Sequence, residues 1–269
     1  MQGSSGESLA RLTDALGSAI SEGADGTALA DSLFAAADVL RAQPALRRAA
    51  TDPSTPAEAK SALAKGLFAQ HLDPLATDLV VDAVTMRWAR SGDLAAALEQ
   101  LGVVALVKAA DAAGDGDRLE GELFTFGRAV ADNPLLRDAL TDPARSVSDK
   151  QALVRSLLDG KATAGTVRLA ERAVTGVHLT VTRALDDYSK IAAESRNRLV
   201  ALVRAAHPLE PEKLERLGSV LADQYDRPVH LNVVVDRSLL GGVRVEIGDQ
   251  VIDGTISTRL DDARRRLVG

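Results

Sequence analysis

The chain has 269 residues, with 32 basic and 38 acidic side chains and a formal net charge of −6. Its 46% hydrophobic and 26% charged residues are typical of a globular protein and exclude a disordered chain. The acidic balance argues against a nucleic-acid binder, which needs a basic surface, and the lack of cysteine excludes disulfides, thiolate nucleophiles and Cys-ligated zinc.

The sequence contains no segment typical of membrane insertion. The first 20 residues include Glu7, Arg11 and Asp14, where a signal peptide needs an unbroken apolar stretch. The longest apolar run, Leu101 to Val107, is far shorter than the ~20 residues that span a bilayer. We therefore expect no direct membrane insertion, and any membrane association to go through partners.

An internal repeat with a spacing of 90 residues dominates the first two thirds of the chain. Residues 23–53 align with residues 113–143 without a gap. Matched Phe and Pro carry the most weight, because the chain has only four Phe and nine Pro. The pattern indicates a tandem duplication. Its clearest pairs are Phe34 with Phe124, Pro44 with Pro134, and Thr51-Asp52-Pro53 with Thr141-Asp142-Pro143.

Each copy is predicted to be helical. In the first copy, apolar residues from Leu29 to Leu40 recur at the spacing of one helix face. Pro44 marks a helix boundary, and further helices are predicted over residues 58–68, 78–90 and 93–107. Several helices with short connections form a small antiparallel bundle. We predict one bundle over residues 1–98 and a second over residues 99–195.

After about Ser195 the pattern changes to a mixture of strands and helices. Alternating apolar residues predict strands, and Gly248-Asp249 offers a two-residue hairpin turn between the last two of them. The result is a β-α-β-β-α domain over residues 196–269, so the fold class is mostly α with a small C-terminal α+β unit. The elements are a strand at 199–203, a helix at 211–225, strands at 229–235, 243–247 and 250–252, and a helix from Ile256 to Leu267.

No pattern in the sequence indicates catalysis. The four histidines do not have a metal-ligand spacing such as H-E-x-x-H, and no G-x-S-x-G nucleophile elbow occurs. Gly160-Lys161 lacks the earlier glycine and the following Ser or Thr of a phosphate loop. The segment 111–122 has Ala113 at the third ligand position of a calcium loop, so we interpret it as a turn between helices. We predict no catalytic residue, no metal and no cofactor.

The stretch from residue 229 to residue 260 resembles the ATP synthase delta subunit family, whose mitochondrial counterpart is the oligomycin-sensitivity-conferring protein. The resemblance rests on an apolar strand, an Asp, a short turn, Gly-Gly, an alternating strand, Gly-Asp and an Ile-Asp-Gly-Thr close. The second helical copy adds Asn133-Pro134-x-Leu136 and Asp142-Pro143…Lys150. The matching C-terminal residues are Val235, Asp236, Leu239, Gly241, Gly242, Val243, Val245, Gly248, Asp249, Ile252, Asp253, Gly254 and Thr255.

Two features depart from the family pattern. Arg237 stands where the family usually has proline, and this chain carries two helical copies where ordinary members carry one. The second departure leaves open which copy has the family's usual role. The Ala-rich composition and the preference for Arg over Lys are typical of GC-rich bacterial genes and fit an actinobacterial member.

The resemblance implies a non-catalytic stator subunit, peripheral on the cytoplasmic side of the cell membrane. In that family the helical domain holds the N-terminal helix of an alpha subunit on the catalytic head, and the C-terminal domain joins the membrane-anchored b subunit. The alternative is a free-standing helical adaptor. The structural or stalk-binding candidates are Asp236, Leu239, Gly241, Gly242, Gly248, Asp249, Asp253, Gly254 and Thr255.

Overall fold

The computed structural model describes residues 3–175, 180–196, 199–239, 241–247 and 250–253. Within these residues it contains twelve helices and four strands. The chain divides into two compact units, Met1–Ile191 and Ala192–Gly269. The predicted fold class, mostly α with a small C-terminal α+β unit, is confirmed.

The first unit is built from helices joined by short connections. Several begin where the sequence supplies a cap: the Asp25 side chain accepts hydrogen bonds from the backbone N–H groups of Thr27 and Ala28. Pro44 and Pro134 occupy first-turn positions, where a missing N–H costs nothing. The helices are α1 Ser4–Ser21, α2 Gly26–Ala42, α3 Pro44–Thr51, α4 Ala57–Phe68, α5 Pro74–Thr85, α6 Ser91–Ala112, α7 Gly116–Asp132, α8 Pro134–Thr141, α9 Val147–Leu158, α10 Ala164–Ala173 and α11 Val181–Ser195.

The repeat spacing of 90 residues reappears in the helices. Helix α7 begins 90 residues after α2, as α8 does after α3 and α9 after α4. Shifted by 90 residues, α1 covers residues 94–111, which lie inside α6, and α6 shifted in the same way begins at Val181, the first residue of α11. Helix α6 is therefore both the last helix of the first copy and the first helix of the second. The border predicted between residues 98 and 99 falls inside α6, and the three-part division of the chain stays a prediction.

Helix α6 forms the centre of the helical unit. It contacts α1, α2, α3, α5, α7 and α10, and Leu98, Leu101 and Val103 are fully buried. Helix α2 approaches it closely, because Gly102 offers no side chain: a Cβ built there would lie 2.4 Å from Cε1 of Phe34. The longest apolar run of the sequence is thus a helix segment buried on all sides, as expected for a core helix.

The second unit is a four-stranded sheet with one described helix against it. The sheet order is β2-β1-β3-β4, with β1 parallel to β2 and antiparallel to β3, and β3 antiparallel to β4. Ala201, Val203 and Val245 are buried together with Leu221 of the helix. The turn at Gly248-Asp249 and the helix predicted from Ile256 to Leu267 lie outside the described residues. The elements are β1 Leu199–Ala205, α12 Pro211–Tyr225, β2 Val229–Val235, β3 Val243–Ile247 and β4 Gln250–Asp253.

Among the residues that the structure describes, no helix combines the length and the apolar character that a membrane span requires.

Candidate functional site

The C-terminal motif lies in the connection between β2 and β3. The Asp236 N–H donates to the carbonyl oxygen of Ala205 at the end of β1, with a distance of 2.8 Å. The Asp236 carboxylate accepts from the N–H and the hydroxyl of Ser238, at 2.9 and 2.6 Å, and these hydrogen bonds lower its pKa. Leu239 closes the turn by donating its N–H to the Asp236 carbonyl at 3.2 Å.

The two glycines complete this connection. Gly242 has φ +84°, a conformation that favours glycine, directly before β3 begins at Val243. The sheet order requires the turn, because the chain leaves β2 on one side of β1 and enters β3 on the other, in the opposite direction. Asp253 pairs with Arg244 and therefore lies at the same end of the sheet.

Of the predicted site residues, the structure thus brings Asp236, Leu239, Gly241, Gly242 and Asp253 to one end of the sheet. The other four, Gly248, Asp249, Gly254 and Thr255, lie outside the described residues.

The helical unit contains a buried charged cluster that the sequence analysis missed. Glu99 of α6 is 5% exposed, and its carboxylate accepts from Arg172 Nε at 3.0 Å and from Arg172 Nη2 at 2.5 Å. It also accepts from the Tyr188 hydroxyl at 2.7 Å and from Arg41 Nη1 at 3.1 Å. The Glu99 cluster therefore joins helices α2, α6, α10 and α11.

The pKa values of this cluster reflect mutual stabilisation of its charges. Burial acts to raise the pKa of Glu99, but the hydrogen bonds and charge of Arg172, with the charge of Arg41, outweigh it and lower that pKa. Burial acts to lower the pKa of Arg172, but the hydrogen bonds that Arg172 donates to Asp38 and Glu99 outweigh burial and raise that pKa. Burial and the neighbouring Glu99 charge raise the pKa of the Tyr188 hydroxyl.

Helix α2 of the first copy is joined by ion pairs to helix α10 of the second copy. Arg172 forms two hydrogen bonds of 2.7 Å to the Asp38 carboxylate, and its guanidinium lies 4.6 Å from the centre of the Phe34 ring. One turn away, Arg168 pairs with Asp31. Because α2 also packs along α6, it covers the face that α6 and α10 form together. A cleft of about 750 Å³ remains between α2, α9 and α10.

The ion pairs between α2 and α10 have a signal in the sequence, because the two copies differ in charge at the positions that form them. Asp78 and Asp82 stand in the first copy where Arg168 and Arg172 stand in the second. In the structure Asp78 and Asp82 are exposed, and Leu75, at the start of the same helix α5, is 44% exposed. We call this surface, together with Ala15 and Ala19 of α1, the α1–α5 face.

A second open surface lies on the second copy. An apolar groove of about 600 Å³ runs between α7, α8 and α9, with Phe126, Leu136, Leu157 and Leu158 among its lining residues. We call it the α7–α9 groove.

The described residues contain no group of three or more His, Cys, Asp or Glu side chains that could hold a metal ion.

The family model and the individual relatives that match this chain all point to the same protein family. Residues 103–267 match the family model described as the ATP synthase delta (OSCP) subunit. A protein of Nocardioides sp. named ATP synthase subunit delta is 53% identical over 90% of this chain and 88% of its own length. Proteins with the same name from Streptomyces avermitilis and Frankia alni are 47% and 44% identical, over 97% and 100% of this chain and 94% and 100% of theirs.

Proposed function

Because this chain belongs to the ATP synthase delta (OSCP) subunit family, we propose that it is a non-catalytic stator subunit of the ATP synthase. It links the catalytic head to the membrane-anchored b subunit and is peripheral on the cytoplasmic side of the cell membrane. The stalk prevents the head from turning with the rotor, so that the torque from proton flow is used for ATP synthesis.

The observation that carries this proposal is the family relationship over most of the chain, and the architecture supports it. A stator must transmit load without yielding. The two helical copies share α6 and are joined at the Glu99 cluster, so no loop separates them. The alternative function is a free-standing helical adaptor, and the deletion experiment described below distinguishes it from a stator subunit.

The α1–α5 face is our proposed site for the N-terminal helix of an alpha subunit. The family model matches the second copy, but there the corresponding face of α6 and α10 is covered by α2. Gly26 of α2 packs so closely that a Cβ on it would lie 2.8 Å from the Ala105 carbonyl oxygen and 3.1 Å from Ala109 Cβ. The equivalents of Ala105 and Ala109 in the first copy are Ala15 and Ala19.

The packing of α2 on α6 and α10 therefore indicates that the equivalent face in the first copy, the α1–α5 face, can bind a helix. Ala15 is exposed, as are Leu75, Asp78 and Asp82, so the first copy offers the same geometry without a described helix over these side chains. An amphipathic helix that lays its apolar side into a groove is a common mode of recognition.

For the b subunit we propose the C-terminal unit. Among the described strands β4 lies at the edge of the sheet, and its Val251 is 53% exposed next to the exposed Ile252. An apolar edge strand is a surface that needs a partner or a covering element.

A peptide titration tests the assignment to alpha. A synthetic peptide of the alpha-subunit N-terminus should bind the full chain, and Leu75→Gln should weaken binding by about tenfold, since burial of a leucine contributes about 1.5–3 kcal/mol. Leu135→Gln on α8 is the matched control, because Leu135 is 82% exposed and lies outside this face. Equal affinity of the two variants would exclude the α1–α5 face.

A deletion in cells tests the stator role itself. Membranes without this protein should show proton leakage through the synthase and loss of ATP synthesis, because an unanchored head cannot resist torque. A tagged chain should co-purify with alpha, beta and b subunits. Coupled ATP synthesis in the deletion strain, with no recovery of these subunits, would favour the adaptor.

A further inference from the structure

Strand β2 uses only one of its two edges within the described sheet. It lies at one end of the sheet order and pairs with β1 alone. Two hydrogen bonds fix which of its residues face β1: the Leu199 N–H donates to the Pro228 carbonyl at 2.9 Å, and the Asp236 N–H donates to the Ala205 carbonyl at 2.8 Å. Because backbone groups alternate along a strand, the even-numbered residues of β2 bond to β1.

The odd-numbered residues of β2 direct their backbone N–H and carbonyl groups away from β1. In the part of the chain that the structure describes, no strand or loop bonds to them on that side. The result is a row of donors and acceptors that repeats about every 6.6 Å, the spacing of two residues in a strand. Only a second extended backbone matches this row, because a helix uses its backbone groups within its own turns. The row consists of Val229, Leu231, Val233 and Val235.

The edge of β2 lacks the features that protect other edge strands from pairing. Such strands are short, carry Lys or Pro, or are twisted away by a bulge. Strand β2 has seven residues with the sequence VHLNVVV, and all seven pair with β1 in an unbroken register. Strand β4, at the other end of the described sheet, has four residues and ends with Asp253. The long edge of β2 is therefore open to a further strand.

The side chains of β2 define the chemistry of that further strand. The odd-numbered residues lie on the side of α12, where a Cβ on Gly218 would lie 3.7 Å from Leu231 Cδ1. They are only half-buried there, and Val235 is 45% exposed, so α12 leaves part of their apolar surface uncovered. Val, Ile or Leu at alternate positions of an added strand would cover this surface through cross-strand pairs.

We propose that the edge of β2 binds an extended segment of another protein, which adds a fifth strand to the described sheet. The segment has Val, Ile or Leu at alternate positions, on the side of α12. Main-chain hydrogen bonds supply the affinity and the alternate apolar side chains supply the selectivity, as in other complexes formed by strand addition. The site lies at the opposite edge from β4 and does not rest on the assignment of the b subunit.

Peptides with selective N-methylation test the mode of binding on the full chain. The probe is a fluorescent peptide of about seven residues in which Thr and Val alternate, with blocked ends. Methyl groups are placed on the Val nitrogens in one derivative and on the Thr nitrogens in the other. Only one of these sets faces β2 in an added strand, so we expect one derivative to bind at least about tenfold more weakly than the probe and the other to bind like it.

Val233→Pro tests the location. The Val233 N–H points away from β1, so proline at this position removes a donor of the free edge and no hydrogen bond to β1. We expect the affinity for the probe to fall at least about tenfold. Val251→Pro, at the outer edge of β4, is the matched control and should leave the affinity unchanged. Thermal melting checks both variants, and the methylation series uses the unaltered chain, so it decides the proposal even where a proline variant does not fold.

Four results would overturn the proposal. The first is that the probe does not bind, the second that the two methylated derivatives bind equally, and the third that Val251→Pro weakens binding as much as Val233→Pro. The fourth is a dimer of the free chain, seen by sedimentation, that Val233→Pro dissociates, because a second copy would then occupy the edge. None of these results bears on the alpha peptide at the α1–α5 face or on coupling in membranes.

Discussion

Arg172 is the side chain on which the junction of the two helical copies depends. It is 7% exposed and contacts an acidic residue of α6, an acidic residue of α2 and the ring of Phe34. A buried cation is tolerated only when its charge is compensated and its donors are used. Glu99 provides most of that compensation, because Asp38 is half-exposed.

Replacement of Glu99 by Gln should therefore destabilise the chain strongly. The substitution keeps the shape but leaves Arg172 without its buried counter-charge, so we expect a loss of about 3–5 kcal/mol in the free energy of unfolding. Guanidinium denaturation measures it. Arg128→Ala, which removes an exposed ion pair with Asp132, should cost less than about 1 kcal/mol. A similar small loss in both variants would contradict a central role for Glu99.

Two hydrogen-bonded carboxylates of the helical unit, Glu99 in the Glu99 cluster and Glu122 on α7, predict sensitivity to acid. The pKa values of Glu99 and Glu122 are lower in the folded chain than their ordinary value of 4.5, so the unfolded chain binds more protons at acidic pH. Their contribution to stability is complete above about pH 4.5 and disappears as the pH falls through the lower, folded values. Melting temperatures measured from pH 7 to pH 3 should therefore fall, and Glu99→Gln should flatten the curve; a parallel curve would contradict this.

Gly242 is the residue on which the turn into β3 depends. Because Gly242 has φ +84°, its replacement by Val should lower the free energy of unfolding by about 1–3 kcal/mol and disorder the C-terminal unit. Gly218→Ala in α12 is the control, because a Cβ there would meet Leu231 at an ordinary 3.7 Å; a helical Ala should be neutral or stabilise slightly. Unchanged melting of the Gly242 variant would show that the glycine pair is incidental.

At the scale of elements, local signals in the sequence were sufficient for most helices and strands. Pro44 begins α3, and the turn after Thr51 separates α3 from α4, as predicted. The predicted helices at 78–90 and 93–107 are Pro74–Thr85 and Ser91–Ala112 in the structure, so their ends were wrong by a few residues. Helix ends depend on caps and tertiary contacts, which periodicity does not report.

What the sequence could not supply was pairing between distant residues. Glu99 and Tyr188 are 89 residues apart, and neither belongs to a local pattern. The Gly-Gly motif was recognised because its two residues are adjacent in the sequence. The structural reason for it is that the chain crosses from β2 past β1 to β3, and only the sheet order reveals this crossing. The apolar run at Leu101–Val107 excluded a membrane span and lay within a predicted helix, but it was also a signal that α6 is buried on all sides.

Two truncations test how these elements depend on one another. A fragment of residues 1–195 keeps α1 to α11 complete and should fold, bind the alpha peptide and fail to bind the b subunit. A fragment of residues 1–98 ends inside α6 and loses Leu101 and Val103, so it should not form a stable bundle. Circular dichroism and peptide binding measure both. A fragment 1–195 that binds b but not the alpha peptide would reverse the domain assignment.

At the scale of the whole molecule, the chain should neither bind nor hydrolyse ATP. The one segment that is similar to a phosphate loop, Gly160-Lys161, follows the end of α9, and Lys161 donates to the carbonyl of Leu157 in that helix. A phosphate loop instead places its backbone N–H groups at the start of a helix after a strand. Calorimetric titration with Mg-ATP should show no saturable heat, and a saturable signal from a pure sample would refute the expectation.

The shared helix has a mechanical consequence. Two domains joined by a linker act as a hinge and absorb part of any applied twist as internal motion. Here the 22 residues of α6, about 33 Å of continuous hydrogen-bonded backbone, belong to both copies. The elastic compliance of this unit is therefore that of a packed helical core, and a load that reaches one copy is delivered to the other with little lag.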